Sequence, residues 1–170
     1  MSEFTEIKAK EITENTFSLI GHDWMLITAG SRDKFNTMTA SWGGLGILWH
    51  KNVCFIFVRP QRYTYEFMEK EDVFTLSFLG DAHRDALKFC GSKSGRDVDK
   101  IAETGLTPAF SDQGGIYFDE AKLVIECRKL HYQDIDPAGF LDDSLMEHYP
   151  GKDFHRMYTG EIIGCYQAKK

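Results

Sequence analysis

The chain has 170 residues, 42% hydrophobic and 27% charged, which suits one domain with a real core and excludes a disordered or low-complexity polymer. Its net charge of −6 argues against a nucleic-acid partner, since neutralising a phosphate backbone calls for a basic face. No apolar run approaches the ~18–20 residues of a membrane helix, and the first ten residues are polar rather than a signal peptide.

Short strand-like runs dominate the chain, at 16–20, 25–29, 37–42, 53–58, 73–78, 115–118, 121–130 and 157–165. In 73–78, Phe74, Leu76 and Phe78 share one face, while 53–58 is apolar throughout and expects cover on both faces. Helices are expected at 63–70 after Pro60, at 82–89 with Asp81 as N-cap, and at 97–104. The last carries a Ser94/Asp97 capping pattern, an apolar stripe of Val98, Ile101 and Ala102, and Gly105 as its stop. Residues 134–153, with two prolines and two glycines, read as a long loop of the kind that serves function or subunit contacts. Many short strands with few helices and no βαβ repeat predict a mainly β chain, a small barrel forming a single domain over 1–170.

Cys54, Cys90, Cys127 and Cys165 form no C-x-x-C pair, so zinc and dithiol chemistry are not expected. Their even spread fits free thiols in a reducing, cytosolic compartment. Paired carboxylates, a Ser-His-Asp spacing and a His-x-x-x-His metal motif are all missing, which disfavours hydrolysis and metal chemistry.

Two segments point instead to a flat, phosphate-bearing ligand. Asn36-Thr37-Met38-Thr39-Ala40-Ser41-Trp42 alternates hydroxyl and apolar side chains and ends on an indole. Arg59-Pro60-Gln61-Arg62-Tyr63-Thr64-Tyr65 leaves an apolar run and opens a helix with two arginines. Hydroxyls and backbone N–H groups can hold a polar rim, an aromatic can cover a ring, and a cationic helix start can hold a phosphate.

Each motif also has a plainer reading. Arg59 and Arg62 can instead pair with Glu66 or Glu69 on the surface, and Trp42 can be a core or interface aromatic. Gly43, Gly44 and Gly46 lack the third position and following helix of a dinucleotide loop, and read as a turn or a close approach between strands. The run from Gly91 to Lys100, with Lys93, Ser94 and Arg96, either receives an anion or is a capped surface helix. His155 can donate to a ring carbonyl or a phosphate, or simply sit in a loop.

Taken in order, segments 36–42, 58–66, 90–100 and His155-Arg156-Met157-Tyr158 with Gly160-Glu161-Ile162 resemble the flavin reductase-like family of FMN-binding split barrels, which includes flavoredoxins. The resemblance spans about 16–164. It implies a six-stranded antiparallel Greek-key split β-barrel with short added helices, paired as a homodimer, holding FMN near the subunit interface. It implies that Asn36, Thr37, Met38, Thr39, Ala40, Ser41 and Trp42 run along the flavin. Arg59, Tyr63 and Thr64 would serve the phosphate and ribityl end, and Ser77 and Phe78 would lie beside the ring. Ser94, Arg96 and Lys100 would add charge near the tail, and His155 would approach from the late loop.

The expected activity is an NAD(P)H-dependent flavin reduction that moves hydride from nicotinamide to FMN. Hydride transfer needs two rings held face to face rather than an acid–base pair, which accounts for the missing dyad. A flavoredoxin-type electron carrier, and a non-catalytic module binding flavin or another planar phosphate, are the alternatives. The expected partners are FMN, NAD(P)H and a second copy of the chain, with no nucleic acid, membrane or metal.

Overall fold

The computed structural model of the chain describes residues 3–169. Ten strands form: β1 (Phe4–Ile7), β2 (Met25–Gly30), β3 (Phe35–Ala40), β4 (Gly43–Leu48), β5 (Lys51–Val58), β6 (Val73–Phe78), β7 (Pro108–Phe110), β8 (Ile116–Phe118), β9 (Leu123–Asp134) and β10 (Arg156–Ala168). Four helices punctuate them: α1 (Thr16–Ser18), α2 (Tyr63–Lys70), α3 (Arg84–Ser92) and α4 (Lys100–Thr104).

One antiparallel sheet runs in the order β3-β2-β6-β9-β10-β5-β4, with β1 also pairing to β10. Its two end strands, β3 and β4, are joined only by Ser41 and Trp42. Three peptide steps span at most ~11 Å, whereas the edges of a flat seven-strand sheet lie ~29 Å apart. The sheet must therefore curl until its edges nearly meet. Because β3 and β4 are not neighbours in the hydrogen-bonded order, the barrel stays split there.

The main core fills this curl, with Met25 and Ile27 from β2, Ile56 from β5, Phe74, Leu76 and Phe78 from β6, and Ile125 from β9. Thr75 and Ser77, on the other face of β6, are buried too, so that strand is covered on both sides. A smaller cluster of Leu26, Leu79, Leu87, Cys90, Leu106 and Phe118 seats α3 on the outside of the barrel.

The structure departs from the sequence reading in several places. Residues 16–20 are helical rather than extended, because the Asn15 side chain accepts from the N–H groups of Phe17 and Ser18 and starts a turn that still buries Leu19 and Ile20. The Asp81 turn is a short 3-10 segment whose carboxylate receives Arg84 at 2.6 Å, and α3 follows it to Ser92. The third expected helix begins later, at Lys100. Asp99 caps it by accepting from Ile101 and Ala102, while the Ser94 hydroxyl accepts from the Arg96 N–H. Gly105 ends it in the left-handed conformation, as expected. Residues 134–153 contain two 3-10 turns, Pro137–Gly139 and Asp143–His148.

The sheet also exceeds six strands, chiefly because the glycine-rich run at 43–48 forms β4. Gly43 has φ +152°, and a Cβ there would lie 2.7 Å from the Phe55 carbonyl oxygen, so the close approach between strands requires glycine.

Candidate functional site

As an end strand, β3 leaves one row of backbone groups unpaired by any strand. The Thr28 and Thr37 hydroxyls meet at 2.9 Å across the β2–β3 ladder, the close contact of a narrow, non-hydrogen-bonded pair. Both backbone groups of Thr37, and by alternation those of Thr39, therefore turn to the free edge. The start of α2, the end of α3 and the loop leading to α4 stand off from this edge, and a trough runs between them.

At one end the trough opens into a hollow of about 530 Å³ bordered by Phe35, Asn36, Thr37, Tyr63, Arg96 and Lys100. It continues into a pocket of about 190 Å³ between Arg62 and Tyr63 on one side and, on the other, Ser92 at the end of α3 with the following Lys93, Ser94 and Gly95. Arg62 also borders the next hollow, about 150 Å³, with Met38, Thr39, Ala40, Ser41, Trp42, Phe57, Arg59 and His155. A side pocket of about 420 Å³ lies behind Thr39, Ala40 and Ser41, against Trp24 and Leu87.

Lys100 is almost fully buried, and its Nζ donates to the Thr37 carbonyl at 2.7 Å and the Cys90 carbonyl at 2.9 Å. Burial draws this ammonium down to about 8, with Arg62 adding repulsion. Arg62 is the N-cap residue of α2, and it reaches the Cys90 carbonyl at 3.4 Å. Burial, and then Arg59, lower its pKa as well. Among the described residues neither cation meets a carboxylate, so both rest on neutral carbonyls beside an open pocket.

The other arginines are committed. Arg59 donates to Asp153 at 2.6 Å and to the His148 carbonyl at 2.8 Å, and its guanidinium lies 5.1 Å from the Tyr149 ring centre. Arg96 donates to Glu66 and to the Gln61 carbonyl and covers the Tyr63 ring at 4.8 Å.

Asn36 donates to the buried Thr64 hydroxyl at 2.8 Å, which aligns β3 with α2. Gly95 packs on this pair, and a Cβ there would overlap the Asn36 side-chain oxygen. The Thr37 hydroxyl is spent on the outer face of the sheet, on Thr28 and on the Ile27 carbonyl at 3.3 Å. The Thr39 hydroxyl donates to the Leu87 carbonyl at 2.5 Å and ties α3 to the strand.

At the far end His155 is buried, and its Nδ1 lies 2.7 Å from the Tyr149 hydroxyl. Burial pulls its pKa down to about 4, Arg59 and Arg62 acting the same way and Asp153 against them. The Trp42 indole, nearly half exposed, lies 5.2 Å from this imidazole.

The structure thus groups Asn36, Thr37, Tyr63, Ser94, Arg96 and Lys100 at one end, and Met38, Thr39, Ala40, Ser41, Trp42, Arg59 and His155 at the other. Thr64 lies behind Asn36 as a support. Ser77 and Phe78 sit in the interior on β6 and border none of these hollows.

A family model described as the flavin reductase like domain matches residues 17–170. The chain belongs to that family. This flavin reductase-like chain is similar in fold to an FMN-binding domain of a flavin reductases-like enzyme from Shewanella baltica, with TM-score 0.72 at 16% identity, covering 98% of this chain and 78% of that one. It is similar to the flavoredoxin of Desulfovibrio vulgaris, with TM-score 0.68 at 22% identity, covering 96% and 78%. A third likeness is to an NADH:FAD oxidoreductase of Streptomyces globisporus, with TM-score 0.64 at 16% identity, covering 85% and 74%. At these identities the likenesses establish the split-barrel fold. A comparison with curated sequences finds no match.

Two residues gain weight from the geometry. Arg62 was visible in the sequence beside Arg59, but nothing in the motif said which arginine would keep its charge free. Tyr149 carried no local signal, because its contact with His155 depends on how the late loop folds back.

Proposed function

We propose that this flavin reductase-like chain holds FMN in the trough along the free edge of β3 and passes electrons from NAD(P)H to it. The convergence of Lys100 and Arg62, two cations without a carboxylate, on one small pocket carries this reading. A dianionic phosphate is the chemistry such a pocket lacks.

The donor set fits the rest of the nucleotide. Lys100, Arg62 and the hydroxyls of Ser92 and Ser94 would hold the phosphate. The outward N–H of Thr37 and the outward backbone groups of Thr39 would serve the polar rim, and Trp42 and His155 would flank the ring. FMN, when bound, supplies the two-electron acceptor for a nicotinamide hydride. The chain's part is to fix the tail, to order the ring end with the Thr39 tie to α3, and to leave one side open beside the half-exposed Trp42.

Mixing the purified chain with FMN and NADH or NADPH and following nicotinamide absorbance tests this. Flavin-dependent oxidation above the protein-free rate is expected, and its absence counts against the reductase reading. A flavoredoxin-type carrier uses the same trough, and the open flank at Trp42 suits a protein donor as well. Retained FMN that NAD(P)H cannot reduce anaerobically would select the carrier.

A second copy of the chain is part of the proposal. Edge strand β4 exposes Ile47 and leads into exposed Trp49, an apolar surface that a homodimer would cover.

A further inference from the structure

Tyr149 follows the Asp143–His148 turn and is buried. Arg59 brackets it by holding the His148 carbonyl on one side and Asp153 on the other, with its guanidinium over the phenol ring. The Tyr149 hydroxyl therefore has a fixed place, 2.7 Å from His155 Nδ1, and no other acceptor among the described residues. A buried phenol left without an acceptor is costly, whereas its oxygen tolerates a missing donor. The O–H consequently donates to Nδ1, and the one proton of a neutral imidazole is left on Nε2.

We propose that Tyr149 is a positioning residue: held by Arg59, it fixes His155 as the Nε2–H tautomer and so presents an uncharged N–H donor to the ring end of the trough. The consequence for chemistry rests on the flavin reading above. A fixed donor at a ring carbonyl stabilises the negative charge that reduction creates, and an uncharged one does so without repelling the neighbouring arginines. The charged and titratable groups around this imidazole are Arg59, Arg62, Asp153 and His148, the last across the Trp42 ring.

Long-range proton–nitrogen NMR on the flavin-free chain, labelled at histidine, reads the tautomer directly, with His155→Asn assigning the signal. The wild-type chain is expected to show an acceptor-type Nδ1 and a protonated Nε2 at neutral pH. In Tyr149→Phe the signal should become a mixture of tautomers, and in the FMN-loaded variant the flavin midpoint potential should move to more negative values. A proton on Nδ1 in the wild type overturns the proposal, as does a folded Tyr149→Phe with unchanged tautomer and potential. Should that variant fail to fold, the wild-type spectrum decides alone. Failure of the wild type to bind FMN would sink the flavin reading and leave the tautomer measurement standing.

Discussion

The Lys100 ammonium sits 2.7 Å from the Thr37 carbonyl, a cation parked on the unpaired edge of a β-strand. A second carbonyl, that of Cys90, holds it at 2.9 Å, and no carboxylate compensates it among the described residues. A bare buried charge is expensive. In this chain the cost is borne in the wall of the pocket proposed to receive the phosphate.

Lys100 should make flavin binding pH-dependent. Its folded-state pKa, about 8, lies below the ordinary lysine value of 10.5. The folded apo chain therefore sheds a proton that the unfolded chain keeps, and stability from this group rises with pH between about 8 and 10.5. Phosphate favours the charged ammonium, so FMN affinity should fall as pH rises above about 8, and binding near pH 9 should take up protons. Calorimetry in buffers of different ionisation enthalpy checks this, and a buffer-independent heat at that pH contradicts it.

Arg62 and Arg59 should separate in function. Removing a charge-assisted contact costs roughly 1.5–3 kcal/mol, so Arg62→Ala should weaken FMN binding by about ten- to hundredfold. Arg59→Ala should instead loosen the late loop around Tyr149, with a smaller loss of affinity and a lower melting temperature. Flavin fluorescence titrations of the two variants decide it, and the reverse ranking would give the phosphate to Arg59.

Gly95→Ala should be poorly tolerated. The added methyl overlaps the Asn36 side-chain oxygen and lies 3.1 Å from Tyr63 Cδ1. Overpacking of this kind costs typically 1–3 kcal/mol. A drop in thermal stability together with weaker FMN binding is expected, and a variant melting like the wild type would show that the loop yields.

His155 should make the fold acid-sensitive. Its pKa is lowered from 6.5 to about 4 in the folded chain, so the unfolded chain takes up a proton first as pH falls. Stability from this group is full above about 6.5 and is lost on the way down to about 4. His155→Asn should flatten that part of the stability curve in urea titrations at stepped pH. An unchanged slope would mean that other groups set the acid limit.

Much of this was legible in the sequence, for reasons that vary by residue. The alternation of Phe74, Leu76 and Phe78 and the apolar run of β5 are period-2 patterns that depend little on distant contacts, and both strands formed where expected. β4 was hidden because three glycines erase the apolar signal; they read as a turn or a close approach between strands, and the Gly43–Phe55 contact is the second of these. Residues 16–20 misled because Leu19 and Ile20 are buried in either geometry, and Asn15 tips the balance to helix. In the site, hydroxyl and cation types could be read, but their commitments could not. The Thr37 hydroxyl is spent on Thr28, Arg59 and Arg96 meet Asp153 and Glu66, and only the folded chain shows that Lys100 and Arg62 line a pocket without a carboxylate partner.

The most direct test of the account is a titration of FMN into the wild-type chain and into the double variant Arg62→Ala/Lys100→Met, read by flavin fluorescence at neutral pH. The expected result is saturable binding of one FMN per chain, weakened at least about a hundredfold in the double variant by loss of two charge-assisted contacts. No binding to the wild type, or equal binding to both proteins, would contradict it.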